Sequence, residues 1–113
     1  MDKIVFITGA SSGIGAGCAR KFASQGASLI LNARNVNKLS ALKEELEKQY
    51  GAKIYLLPFD VRDRKAATSA LESLPKEWQS IDILVNNAGL VIGTDKEQEG
   101  SLDEWDIVID TNI

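Results

Sequence analysis

Between Thr8 and Gly15 the chain reads T-G-A-S-S-G-I-G, three glycines and two serines in eight residues. The chemistry open to such a stretch is the holding of a phosphate. Gly9 can turn sharply out of a preceding strand, Gly13 lets backbone approach a phosphate with no Cβ in the way, and Gly15 lets the next helix pack closely on a sheet. Ser11 and Ser12 add hydroxyl donors, and Ile14 sits between the last two glycines. A helix opened here offers unpaired N–H groups and the positive end of its dipole, both of which attract an anion. Further polar or small residues recur where apolar runs stop: Asn32 and Arg34, Asp60 and Val61, then Asn86, Asn87, Ala88 and Gly89.

For these groups to meet, each must stand at the carboxyl end of a strand in one parallel sheet. Lys3–Ile7 is a nearly continuous apolar run, as expected for a strand buried on both faces. Ala16–Gln25 carries Ala19, Phe22 and Ala23 at helical spacing, and Gly26 stops it. A second strand follows at Ala27–Leu31. From Val36 to Tyr50, Val36, Leu39, Leu42 and Leu46 form an apolar stripe among lysines and glutamates, which predicts an amphipathic helix ended by Gly51. Lys53–Pro58 reads as the third strand, and Arg64–Leu74 as a helix with Ala66, Ala67, Ala70, Leu71 and Leu74 inward, stopped by Pro75. Trp78 is expected as a packing plug in the connector before a fourth strand at Ile81–Val85. The acidic run 94–99 reads as a surface loop. S-x-x-E at Ser101 and Glu104 is a capping box that starts a helix through Leu102, Trp105, Val108 and Ile109 to the last residue, Ile113.

The glycines fall as G-x-x-x-G-x-G after a Thr, and the chain also carries D-V at Asp60–Val61 and N-N-A-G at Asn86–Gly89. In order and spacing this set resembles the short-chain dehydrogenase/reductases, from Met1 to the last residue. The resemblance implies an α/β fold: the N-terminal portion of a Rossmann-type, doubly wound parallel sheet with strand order 3-2-1-4. It implies that Asp60 accepts a hydrogen bond from the adenine amino group, with the Val61 amide beside it, and that Asn87, Ala88 and Gly89 border the ribose and nicotinamide side of the cofactor. Asn86 is expected to be structural. On the residues alone, the competing role for Asp60 is a cap of the next helix, for which Asp63 is also available.

About 20 residues past the glycine turn, a cofactor with a free ribose 2′-hydroxyl calls for an Asp or Glu. The chain has Asn32-Ala33-Arg34 instead, with a guanidinium suited to paired, charge-assisted bonds to a 2′-phosphate. NADP(H) is therefore expected rather than NAD(H), and Asn32 is counted with Arg34 among the cofactor contacts. The alternative is that Arg34 is a solvated loop cation. Ser12 stands where NADP-preferring members of the family often place a second basic residue, so the preference rests on Arg34.

The family's reaction uses a Tyr, a Lys and a Ser from later elements. Of its catalytic set, D-T-N-I supplies Asn112, implied to support a water chain to the Lys. Neither Tyr50 nor Tyr55 is followed four residues later by a Lys. An unassisted tyrosine, with a pKa near 10, is a poor base at neutral pH. The 113 residues alone are therefore expected to bind cofactor weakly, if at all, and not to turn over, and strand Ile81–Val85 to be left as an open apolar edge. L-E-S-L-P-K-E-W-Q-S-I-D-I-L-V-N-N-A-G-L and E-W-D-I-V-I-D-T-N most resemble the NADP-dependent 3-hydroxy acid and serine dehydrogenase group. That implies hydride transfer between a small hydroxy acid or alcohol and its carbonyl, in a parent that is a dimer or tetramer. Two other readings stay open: a non-catalytic nucleotide-binding module, and a nonfunctional truncation product.

Composition removes other classes. A chain of 113 residues is one domain by length, able to bury roughly 65% of its unfolded surface. A net charge of −3 leaves no basic excess to hold nucleic acid or an anionic membrane. No apolar run approaches the roughly 20 residues of a membrane span, and the chain starts on a strand rather than a leader, so a cytoplasmic location is expected. With no His and a single cysteine, Cys18, this chain excludes a Ser-His-Asp triad, histidine metal ligation and an internal disulfide. Cys18 is expected in the core.

Overall fold

The structure, a computed structural model, describes residues 2–88 and 107–109. Strand β1 (Ile4–Thr8) leads through the glycine turn to α1 (Gly13–Ser24), then β2 (Ser28–Leu31), α2 (Val36–Tyr50), β3 (Ile54–Leu56), α3 (Arg64–Glu72), a 3-10 turn (Lys76–Trp78), β4 (Ile83–Asn86) and β5 (Ile107–Ile109). The strands form one sheet in the order β3-β2-β1-β4-β5 with every neighbour parallel, so the expected 3-2-1-4 order is present.

Alternation along β1 divides the core in two, because successive strand residues point to opposite faces. Val5 and Ile7 join Leu29, Leu31, Ile83 and Val85 against Ala16, Ala19 and Ala23 of α1 and Leu39, Leu42 and Leu46 of α2. Phe6 faces the other way, with Ile30 and Leu84, and meets Ala67 and Leu71 of α3 together with Phe59, Leu74 and Trp78. Helices therefore cover both faces, the doubly wound arrangement. Trp78 is the expected plug, 5% exposed with its ring 5.6 Å from that of Tyr55. Cys18 packs against the first core, half-buried.

Each helix on the described chain opens on a polar cap. Ser12, Asn35 and Asp63 accept from the amides of Gly15, Lys38 and Ala66, satisfying donors that have no intrahelical partner. The Ser12 cap starts α1 three residues before the expected Ala16. Asp63 takes the capping role for α3 and leaves Asp60 out of it. α2 has its expected bounds, and Gly51 closes it in a left-handed conformation. Val36 departs from the expected stripe: at the first position of α2, it is 49% exposed.

The expected helix over Ser101–Ile113 is corrected in its centre. Ile107–Ile109 is strand β5, parallel to β4 in the register Ile83↔Ile107, Leu84↔Val108 and Val85↔Ile109. Three consecutive β-branched residues favour a pleated backbone over a helix, where their χ1 freedom is lost. The same pairing corrects the expected open edge, because the backbone of β4 finds its partners in β5. The acidic run 94–99 and the capping box at Ser101 lie outside the described residues.

Candidate functional site

The glycine turn is built by close approach. Gly9 has φ +61°, a left-handed conformation costly for side chains, and a Cβ there would lie 3.0 Å from Asn87 Nδ2. A Cβ on Gly15 would fall 2.1 Å from the carbonyl oxygen of Gly9, inside any tolerable contact, so α1 crosses the end of β1 only because position 15 is glycine. At Gly13 a Cβ would meet nothing within 4 Å: that side of the turn is open. The amides of Gly13 and Ile14, the first of α1, have no acceptor among the described residues. Ile14 is 47% exposed at the same helix end.

Ser12 is fully engaged. Its Oγ donates to the Gly9 carbonyl at 2.8 Å and accepts from the Gly15 amide at 3.1 Å and from Asn87 Nδ2 at 2.8 Å. Asn87 Nδ2 also reaches the Gly9 carbonyl at 3.2 Å. The segment after β4 is thus bolted to the turn after β1. Thr8, wholly buried, adds a second link: its hydroxyl donates to Asn86 Oδ1 at 3.2 Å and accepts from the Ala88 amide at 3.0 Å. Asn86 has the structural place expected of it.

Asn32 laces the other side. Nearly fully buried, it donates through Nδ2 to the carbonyls of Leu57 and Phe59, each at 3.1 Å, and its own carbonyl accepts from the Ala10 amide at 2.8 Å. A buried amide with these partners sets the distance between the ends of β1, β2 and β3. An aspartate in its place could not donate to those two carbonyls.

Between these ends lies a cleft of about 330 Å³, lined by Gly9, Ser11, Asn32, Arg34, Asp60, Val61 and Ala88 of the expected residues, with Ala33, Phe59 and Arg62. Its size is at the lower end of small-molecule sites, enough for a nucleoside-sized group. Ser11 also borders a shallower space with Arg34 and Asn35. Arg34 is largely exposed and makes one long ion pair, Nη1 to Asp60 Oδ2 at 3.9 Å. Asp60 is held elsewhere. Its Oδ1 accepts from the Arg62 amide at 2.9 Å and Nε at 3.1 Å, and Oδ2 accepts from Arg62 Nη2 at 2.9 Å. The Arg62 side chain and then its amide hold the Asp60 carboxyl down to about 2, with the charge of Arg34 a smaller influence. At neutral pH Asp60 is an acceptor only.

Gly89 and Asn112 lie outside the described residues. Arg62 was missed by sequence reasoning; its only signal was the D-x-R spacing at Asp60, the i to i+2 separation at which an Asp side chain bonds the backbone of its own turn. No group of three or more residues suited to a metal ion occurs among the described residues, and none of their helices is long and apolar enough to cross a membrane.

A parallel sheet wound on both faces, with a glycine turn at the carboxyl end of its central strand, defines a mononucleotide-binding unit of the dinucleotide-binding class. Within that class the chain belongs to the short chain dehydrogenase family, which matches residues 3–113. It is 44% identical over 109 residues to the NADP-dependent 3-hydroxy acid dehydrogenase YdfG of Escherichia coli strain K12, covering 96% of this chain and 42% of that protein. Among solved structures it is similar to serine dehydrogenase from Escherichia coli (43% identity, TM-score 0.69, 90% of this chain and 45% of that one). It is also similar to L-sorbose reductase from Gluconobacter frateurii complexed with NADPH and L-sorbose (33% identity, TM-score 0.72, 88% and 38%). The chain therefore spans less than half the length of these relatives.

Proposed function

We propose that the chain forms the NADP(H)-binding part of an oxidoreductase that interconverts a small hydroxy acid or alcohol and its carbonyl compound. The observation that carries the reading is the cleft in which an exposed arginine, Arg34, stands where a ribose 2′-hydroxyl would need a carboxylate, next to the unpaired amides of the glycine turn. The residues fit the group: open space at Gly13 leaves room for the pyrophosphate, Arg34 and Ser11 border space for the 2′-phosphate, and Asp60 offers an acceptor to the adenine amino group. The NADP dependence of the 3-hydroxy acid dehydrogenase and the NADPH bound to the sorbose reductase support the same choice of cofactor.

Each residue then has a task. Gly9 and Gly15 shape the turn; Gly13 and Ile14 present amides to phosphate. Ser12 and Asn87 keep the turn and the segment after β4 together, and Ala88 and Gly89 border the ribose and nicotinamide side. Asn32 spaces the strand ends, and Val61 stands beside the adenine. The bound cofactor would supply or accept the hydride. Asn112 is proposed as the catalytic asparagine of the set, with the Tyr, Lys and Ser contributed by elements beyond the 113 residues.

The test is the substitution Arg34→Ala, with dissociation constants measured for NADPH and NADH. Loss of the charged bonds to a 2′-phosphate is expected to weaken NADPH by about 1.5–3 kcal/mol, roughly 10- to 100-fold, and to leave NADH nearly unchanged. Equal losses for both cofactors would remove the 2′-phosphate assignment.

A further inference from the structure

The pairing of β2 with β3 stops short of the cleft. Its register runs from Leu29↔Ile54 to Leu31↔Leu56, and the last backbone rung is the Leu57 amide on the Leu31 carbonyl at 2.9 Å. Asp60 and Val61, which line the cleft, come after that rung. Pro58 has no amide hydrogen to continue the ladder, and the amides of Phe59, Asp60 and Val61 have no acceptor among the described residues. The segment is joined to the sheet by a side chain instead, for Asn32 Nδ2 donates to the carbonyls of Leu57 and Phe59, each at 3.1 Å. Asn32 is itself fixed: 1% exposed, it donates its amide to the Ile7 carbonyl at 2.9 Å, and its carbonyl accepts from the Ala10 amide at 2.8 Å. Its Oδ1 accepts from no donor among the described residues, so the side chain acts through those two carbonyls alone. Phe59 adds an apolar anchor, its ring 6.5 Å from that of Phe6, but a ring contact sets no hydrogen-bond register. Among the described residues the one other polar contact from Asp60 or Val61 back to the β2 side is the 3.9 Å approach of Arg34 to Asp60.

We infer that Asn32 is a positioning residue: it takes over where the β2–β3 ladder ends and holds the cleft wall of Asp60 and Val61 at a set distance from the glycine turn and Arg34. That the wall so placed receives a nucleotide rests on the proposed function; the tether does not. Its physical basis is the need of two carbonyls, withdrawn from water, for donors. A carboxamide carries two N–H donors on one nitrogen, so a single side chain satisfies both. Without them the carbonyls of Leu57 and Phe59 regain partners only by turning to water, which carries the wall out of place. That opening is local, because β1 and β2 pair with each other without these bonds. A side chain of the same shape with no donor therefore loosens the wall and spares the sheet centre. A carboxyl group there depends on its proton: ionised, it sets negative charge against two carbonyl oxygens, and protonated it keeps one donor. Burial favours the protonated form, so the tether of such a variant is restored as pH falls.

The experiment follows amide hydrogen exchange by NMR in the 113-residue chain, as wild type, Asn32→Leu and Asn32→Asp, with circular dichroism to establish folding. The Leu57 amide, the last rung, is timed against the amides of β1 in the same sample. Asn32→Leu is expected to speed exchange at Leu57 by about tenfold or more relative to β1, the value of one to two lost hydrogen bonds. Asn32→Asp is expected to do the same at pH 8 and to return towards wild type at pH 5. An unchanged ratio in Asn32→Leu, a rise shared equally by β1, or an Asp variant as loose at pH 5 as at pH 8 overturns the inference. If Asn32→Leu does not fold, Asn32→Asp at the two pH values decides. A titration with 2′,5′-ADP, followed by the same amide signals, then reads the effect on the site. Asn32→Leu is expected to weaken binding about fivefold or more, and an affinity equal to wild type in a variant whose wall has loosened overturns the positioning role. Binding by none of the three proteins counts against the nucleotide reading of the cleft, and the exchange ratios still decide the tether.

Discussion

Gly13 and Gly15 are two positions apart and have opposite parts to play. Gly15 is required by the fold, since its absent Cβ would lie 2.1 Å from the Gly9 carbonyl oxygen, a backbone atom that cannot step aside. Gly15→Ala is expected to cost about 3 kcal/mol or more, at the upper end of overpacking effects, read as a shift in the midpoint of urea denaturation. Gly13→Ala meets open space and is expected to keep stability within about 1 kcal/mol, alanine being the better helix former. It should raise the dissociation constant for NADPH at least about tenfold, because its methyl group enters the space proposed for phosphate. Destabilisation by both, or by neither, would contradict this division. The packing role of Gly15 was legible in the sequence because it depends on the absence of a side chain at a known point of a strand-to-helix turn. Asn32 and Arg62 were less so. Asn32 was expected at the cofactor and lines the cleft, but the bonds of its amide to the carbonyls of Leu57 and Phe59, 25 and 27 positions away, left no mark in the sequence. Arg62 has meaning only once the turn brings it back over Asp60.

At the scale of elements, what could be foreseen was what has a period and a cap. The stripe Leu39, Leu42 and Leu46 is buried as expected, and α2 begins directly after Asn35, whose Oδ1 accepts from the Lys38 amide at 3.1 Å. Asn35→Ala removes that acceptor and is expected to destabilise the protein by about 1 kcal/mol, measurable as a lowered thermal midpoint, with NADH and NADPH affinities falling together if at all. A selective loss for NADPH would instead make Asn35 a direct phosphate ligand. The error at Ile107–Ile109 has the converse cause. Leu102, Trp105, Val108 and Ile109 fall at helical steps of three and four, but a short apolar run does not tell helix from strand by spacing alone. What decides it is the edge of β4, more than 20 residues earlier, to which the three residues pair. Nonlocal pairing of that sort leaves no periodic mark.

For the molecule as a whole, sheet order brings the carboxyl ends of β1, β2 and β3 to one cleft; Asn32 ties those three ends together, and Thr8, Ser12 and Asn87 tie the end of β1 to the segment after β4. The residues proposed to hold the adenosine end, Arg34, Asp60 and Val61, all line that cleft, while Asn112, proposed for the catalytic set, lies outside the described residues. This separates two properties that a full-length dehydrogenase shows together: recognition of the adenosine end, and turnover. The measurement that bears most directly on the account is calorimetric titration of the 113-residue chain with 2′,5′-ADP and with 5′-AMP, ligands that carry the adenosine end alone and differ only in the 2′-phosphate. Binding of 2′,5′-ADP tighter than 5′-AMP by about tenfold or more is predicted, from the charged bonds of Arg34. Equal affinity for the two would contradict the proposal that this cleft is an NADP(H) site.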